Sequence, residues 1–130
     1  MTLFSKIIEG SIPCYKITED DLFLSFLDIM PLQKGHCLVV PKIEIDRIFD
    51  LPLHFLNNYL LFCQPIAHAI KKTFQCDRVN IVTIGLEVPH CHIHLIPTNS
   101  TTDMDFSQKK LSLTKEEFLN IQRAIIANLA

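Results

Sequence analysis

The chain has no cluster of basic residues, no CxxC pair and no internal repeat, and its opening residues lead to no expectation of a secretory leader; each gap closes a class of function. Its 14 acidic and 12 basic residues nearly cancel over 130 positions, for a net charge of -2 with histidine neutral. The only adjacent basic pairs are Lys71-Lys72 and Lys109-Lys110, too little positive charge to track a polyphosphate backbone. Polymeric nucleic acid is therefore not an expected partner. Five cysteines, Cys14, Cys37, Cys63, Cys76 and Cys91, lack metal-ligand spacing and cannot all pair within one chain. They read as reduced thiols of a cytoplasmic protein. The opening MTLFSKIIEGSIPC has neither the basic start nor the continuous apolar core of a secretory signal. One long stretch, residues 51–70 (LPLHFLNNYLLFCQPIAHAI), is uncharged, but it carries two Pro, two His, two Asn and a Gln. Lipid would leave those groups without partners, so no membrane span is expected. The stretch reads instead as a buried helix covered by a sheet on one side and by a second subunit on the other.

What is present is an ordinary globular composition, 48% hydrophobic and 20% charged, enough for one compact domain over residues 1–130. Phe4, Ile7 and Ile8 space a short helix from Leu3 to Glu9, ended by Gly10 to Pro13. Cys14 to Thr18 and the LFLSFLDI segment ending near Asp28 read as two strands of a hairpin. After the Pro31 to Gly35 turn, His36 to Val40 forms a third strand, stopped by Pro41. A long helix follows from Leu53 to Thr73, kinked or broken at Pro65, which cannot donate to the Leu61 carbonyl. Val79 to Ile84 and Cys91 to Ile96 are the fourth and fifth strands, joined through Gly85 to Pro89. Thr98 to Asp105 reads as a loop. Thr114-Lys115-Glu116-Glu117 has the form of a capping box opening a C-terminal helix that runs towards Asn128. Hairpins with helices between them describe an antiparallel α+β domain.

The segment VPHCHIHLIP, residues 88–97, places His90, His92 and His94 at every second position. On a strand these side chains share one face, with Cys91, Ile93 and Leu95 on the other. If the third strand pairs nearby, His36 brings a fourth imidazole. Packing alone is a poor explanation, because each buried imidazole needs a hydrogen-bond partner at a cost of about 1–3 kcal/mol if it lacks one. Zinc is a sharper reading, but strand residues rise by roughly 3.3 Å each, so three alternating histidines cannot easily reach one ion. Two of them with His36 remain a workable ligand set. In the third reading, one imidazole is held through one ring nitrogen and attacks phosphorus with the other.

HCHIHLI, residues 90–96, resembles the His-φ-His-φ-His-φ-φ motif of the histidine triad (HIT) family. FSKIIEGSIPCYKITEDDLFLSFLDIMPLQKGHCLVVPK, residues 4–42, is similar to the N-terminal half of its Hint branch of nucleoside phosphoramidases and nucleotide hydrolases. The resemblance implies a five-stranded antiparallel sheet with a long central helix and a C-terminal helix. It implies a homodimer that binds a purine nucleotide or nucleoside phosphoramidate and cleaves at the α-phosphorus, with no cofactor and no metal. By the family pattern His92 is the nucleophile, His94 contacts the phosphate, and His90 and His36 belong to the polar network. Asp28 falls where ribose hydroxyls bind, and Phe4, Ile7, Phe26 and Ile29 fall around the base pocket. A histidine at the third position, His94, goes with hydrolysis rather than transfer. The chain departs from the family at GLEVPH: Leu86 and Glu87 stand where Gln and Ser or Thr are usual. Glu87 is thus either a proton donor to the leaving group or a solvent-facing residue. Glu44, at a position often His in the family, reads as a surface change.

Overall fold

The structure, a computed structural model, describes residues 1–129. Helix α1 (Leu3–Ile8) precedes strands β1 (Lys16–Glu19), β2 (Phe23–Leu27) and β3 (Cys37–Pro41). Helix α2 (Leu53–Phe74), strands β4 (Arg78–Val82) and β5 (Ile93–Thr98), and helix α3 (Lys115–Ala127) complete the order. All strand pairs are antiparallel in one five-stranded sheet, β1-β2-β3-β5-β4. The expected α+β architecture is the one observed.

Strand alternation divides the core into two layers. Phe23, Leu27, Cys37, Val39, Ile93 and Leu95 face α2 and α3, where Phe55, Tyr59, Cys63, Ile66, Ala69, Ile70 and Ile125 complete the main core. Phe23 is fully buried, with its ring 4.7 Å from Tyr59 and 5.8 Å from Phe55, a burial that contributes about 2–3 kcal/mol. On the opposite face Leu24, Phe26, Leu38 and Val40 meet Phe4 of α1. Cys37 and Cys91 lie in the main core, away from the histidine face as expected.

Three departures from the sequence reading have local causes. Pro65 does not break α2, which runs as one helix. Pro65 and Leu61 are both on the exposed side, so the carbonyl left without its donor can bond water, while buried Cys63, Ile66, Ala69 and Ile70 hold the helix to the sheet. Strand β5 begins at Ile93 rather than Cys91 and runs through Pro97, which pairs with Val79. Pairing with β3 ends at Cys37↔Leu95, so beyond it β5 is bonded on one side only and a proline is tolerated. Strand β4 stops at Val82, leaving a longer β4–β5 connection than expected. A short 3-10 turn, Thr101–Met104, stands within the expected loop, and the capping box at Thr114 forms as read.

Candidate active site

Antiparallel pairing of β3 with β5 sets Leu38 opposite His94, so His36, two residues earlier, falls on the same face. Gly35, at φ +95°, makes the turn that delivers it, and any side chain there would run into the Phe74 ring. His36 Nε2 and His94 Nδ1 are 2.9 Å apart, both residues buried. The buried Leu32 N–H donates to His36 Nδ1 at 3.0 Å. That bond assigns the His36 proton to Nε2, which donates to His94 Nδ1, and so places the His94 proton on Nε2. Burial, with His94 and Lys110 adding to it, lowers His36 to about 3. Burial beside His92 lowers His94 to about 4. Both rings stay uncharged at neutral pH, and the chain of donors ends at an outward N–H on His94.

His90 and His92 lie upstream of the paired strand, so only His94 of the three is held by the sheet ladder. The fully buried His90 donates from Nε2 to the Pro41 carbonyl at 2.9 Å and meets Thr2 Oγ1 through Nδ1 at 2.9 Å. The His92 Nδ1–H donates to the His90 carbonyl at 2.8 Å, which leaves the Nε2 lone pair free. Burial lowers the proton affinity of His92, so that lone pair is unprotonated at neutral pH. Among the described residues the only buried side-chain polar atom without a partner is Ser25 Oγ. Nε2 of His92 and of His94 therefore open onto solvent. The rings of His92 and His94 are 5.0 Å apart.

The expected companions gather unequally. Phe4 packs 4.9 Å from the His92 ring and 5.9 Å from Phe26, and Ile7 joins the same cluster. Ile29 is 66% exposed. Asp28 accepts from Met30 N–H at 2.9 Å, with its other oxygen 3.5 Å from His36 Nε2. Burial raises its carboxyl to about 6. Glu87 and Leu86 are exposed, Leu86 at 88%. Even so, the Glu87 charge adds slightly to the burial that raises Asp28 and slightly opposes the burial that lowers His92.

Ligand atoms of Asp28, His36 and His94 lie within 4.8 Å of one another, so the set differs from the one read for zinc: His36 is joined by one triad histidine and Asp28, not by two triad histidines. The residues fit a metal poorly. Because the Leu32 N–H occupies His36 Nδ1, the nitrogen facing Asp28 and His94 carries the proton of the His36–His94 bond, and an ion would have to displace it. The cluster is a hydrogen-bonded array.

Sequence reading missed Phe106, whose ring stands edge-on 5.1 Å from His94, and Lys110, whose ammonium bonds the Phe106 carbonyl. Nothing in their polar surroundings announces contact with the site. It also took Glu44 for a surface change and passed over Thr2. Glu44 is exposed, but it accepts from Ser5 Oγ at 2.6 Å and from Thr2 N–H at 2.9 Å.

The HIT domain family model matches residues 9–101. The chain belongs to the HIT family. An uncharacterized HIT-like protein of Borreliella burgdorferi is 36% identical over 98% of this chain and 97% of its own. The adenosine 5'-monophosphoramidase HNT1 of Saccharomyces cerevisiae is 36% identical over 73% of this chain and 61% of its own. Among solved structures, a HIT-like protein from Bartonella henselae superposes with a TM-score of 0.85 at 30% identity, covering 98% of this chain and 96% of that one. Family and fold thus agree with the motif, and some HIT proteins similar to this one are named adenosine 5'-monophosphoramidases.

Proposed function

We propose that this HIT protein is a nucleotide hydrolase that cleaves a nucleoside phosphoramidate or phosphoanhydride at the α-phosphorus through a nucleotidyl-His92 intermediate. The observation that carries the reading is the His92 ring, with Nδ1–H held by the His90 carbonyl and Nε2 bare towards solvent. Nε2 attacks phosphorus and the P–N or P–O bond to the leaving group breaks; a departing amine takes a proton from the solvent-open mouth, and a departing phosphate leaves as the oxyanion. Water then attacks the phosphorus, releases the nucleoside monophosphate and restores the imidazole. The outward His94 Nε2–H donates to a phosphoryl oxygen as negative charge grows in the transition state. His36 sets the proton position on His94, and His90 sets that on His92. Asp28 takes the ribose hydroxyls, and Phe4, Ile7 and Phe26 hold a purine, with Ile29 at the exposed rim.

Three further assignments go with this reading. Exposed Ile81 on the edge strand β4, and Leu60 and Leu61 on the outward side of α2, suit coverage by a second copy. Five free thiols suit the cytoplasm, and no described helix is long and apolar enough to cross a membrane. A nucleotide-binding regulatory dimer with little turnover is the second reading. It is favoured by exposed Leu86 and by the Glu87 carboxylate acting on the site, which repels an anionic substrate. Adenosine phosphoramidate separates the two. Hydrolysis by the wild type and its loss by about a thousandfold in His92→Asn support the enzyme, whereas binding without turnover supports the regulator.

A further inference from the structure

The sheet ladder ends where the nucleophile begins, and a second set of bonds takes over. Because β5 starts at Ile93, residues 90–92 have no cross-strand pairing to fix them. His90 is held instead through its N–H on the Val88 carbonyl at 2.8 Å, its Nε2–H on the Pro41 carbonyl and its Nδ1 on Thr2 Oγ1. The Pro41 carbonyl can only accept, so the His90 proton sits on Nε2 and the Thr2 hydroxyl donates to the Nδ1 lone pair. Thr2 Oγ1 also accepts the Ser5 N–H, capping α1. Glu44 gathers this cap from the β3–α2 connection, accepting from both Ser5 Oγ and Thr2 N–H. The next residue, Ile45, accepts the Cys91 N–H at 2.8 Å. The bonds thus run from one two-residue segment, Glu44-Ile45, to His90 by way of the α1 cap and directly to Cys91.

We propose that Thr2, Ser5 and Glu44 are positioning residues for His92, acting through the His90 carbonyl that holds its Nδ1–H. The inference rests on His92 being the nucleophile. Thr2 and Ser5 lie before the residues that the family model matches, 9–101, so this clamp is built partly from chain outside the family pattern. Without the Thr2 hydroxyl the buried Nδ1 of His90 has no donor. The ring then turns, and the carbonyl that fixes the tautomer of His92 moves with it. Phe4, two residues after the N-cap Thr2, leans on both rings, 4.9 Å from His92 and 5.8 Å from His90, so loosening α1 acts on the same pair.

The test uses the full chain with Thr2→Val, Thr2→Ser and Glu44→Ala, an adenosine phosphoramidate as substrate and ¹⁵N spectra of the histidine rings. Thr2→Val and Glu44→Ala should lower kcat about tenfold with KM held within about twofold, since a misplaced reacting group costs rate rather than binding. In both, the His92 ring should pass from one Nδ1–H tautomer to a mixture, and Thr2→Ser should restore rate and tautomer together. Glu44 is exposed, so its variant folds even if Thr2→Val does not. Wild-type kcat with a single His92 tautomer in Glu44→Ala and in folded Thr2→Val, whatever happens to Tm, overturns the proposal. Full turnover by His92→Asn would instead sink the nucleophile reading, and the tautomer spectra would still report on the clamp.

Discussion

Asp28 is the residue whose energetics say most about its use. Burial raises its carboxyl from 3.8 to about 6, so the folded protein holds the proton harder than the unfolded chain does. Ionisation therefore costs stability. The cost is absent below the unfolded value, grows as pH rises through the folded one and is complete above it. Asp28→Asn should raise stability at pH 7.5 by about 1–3 kcal/mol while weakening nucleotide binding, a pairing expected of a group kept for function. Chemical denaturation and calorimetric titration of a nucleoside monophosphate check both halves, and a variant that is less stable, or that binds as well as the wild type, contradicts the assignment. At this scale the alternation of His90, His92 and His94 was legible in the sequence because period two on a strand is a local rule. The tie between His36 and His94 was readable only as a conditional, since it depends on a register between segments 58 positions apart. Thr2, Glu44 and Phe106 were not legible, because each reaches the site across a long sequence gap and no local pattern marks it.

Among the elements, α2 shows how packing overrides a local rule. A proline inside a helix costs about 3 kcal/mol relative to alanine, yet α2 is continuous because its buried side chains hold it against β3 and β5. Pro65→Ala should restore the bond to the Leu61 carbonyl and raise the denaturation midpoint by the equivalent of about 1–3 kcal/mol. An unchanged or lower midpoint would mean that the outward Pro65 ring makes contacts worth as much as the bond it removes. The order and type of the elements were readable throughout, from apolar spacing, Gly and Pro punctuation and the Thr114 capping box. The ends of β4 and β5 were not. Pairing partners decide where a ladder stops, and the shift of the β5 start from Cys91 to Ile93 is what leaves the first two histidines to be held by side-chain and loop bonds.

On the scale of the whole molecule, the sheet has an edge at β4 and α2 has an outward apolar side. Ile81 is 52% exposed, Leu60 59% and Leu61 66%, an edge and a face that a monomer would have to protect from chance pairing. Ile81→Lys combined with Leu60→Glu should convert a dimer to a monomer in sedimentation analysis at micromolar concentration. A wild type that sediments as a monomer would remove the second subunit from the account. Charge fits the same picture. With 14 acidic and 12 basic residues, the net charge is small, and the proposed function leaves recognition to the local donors and apolar walls around His92. In the proposed function the negative charge of exposed Glu87 works against an anionic substrate and so bears on substrate choice.

The central claim is that His92 becomes covalently nucleotidylated. It is tested most directly by denaturing rapid quench at neutral to alkaline pH, where a P–N bond to histidine survives, of the wild type with an adenosine phosphoramidate, followed by intact mass and peptide mapping. The account predicts a protein species heavier by one adenylyl group, carried on the peptide containing His92, formed and lost at rates that match turnover and absent in His92→Asn. Turnover with no such adduct at any quench time, or an adduct on another residue, would contradict it.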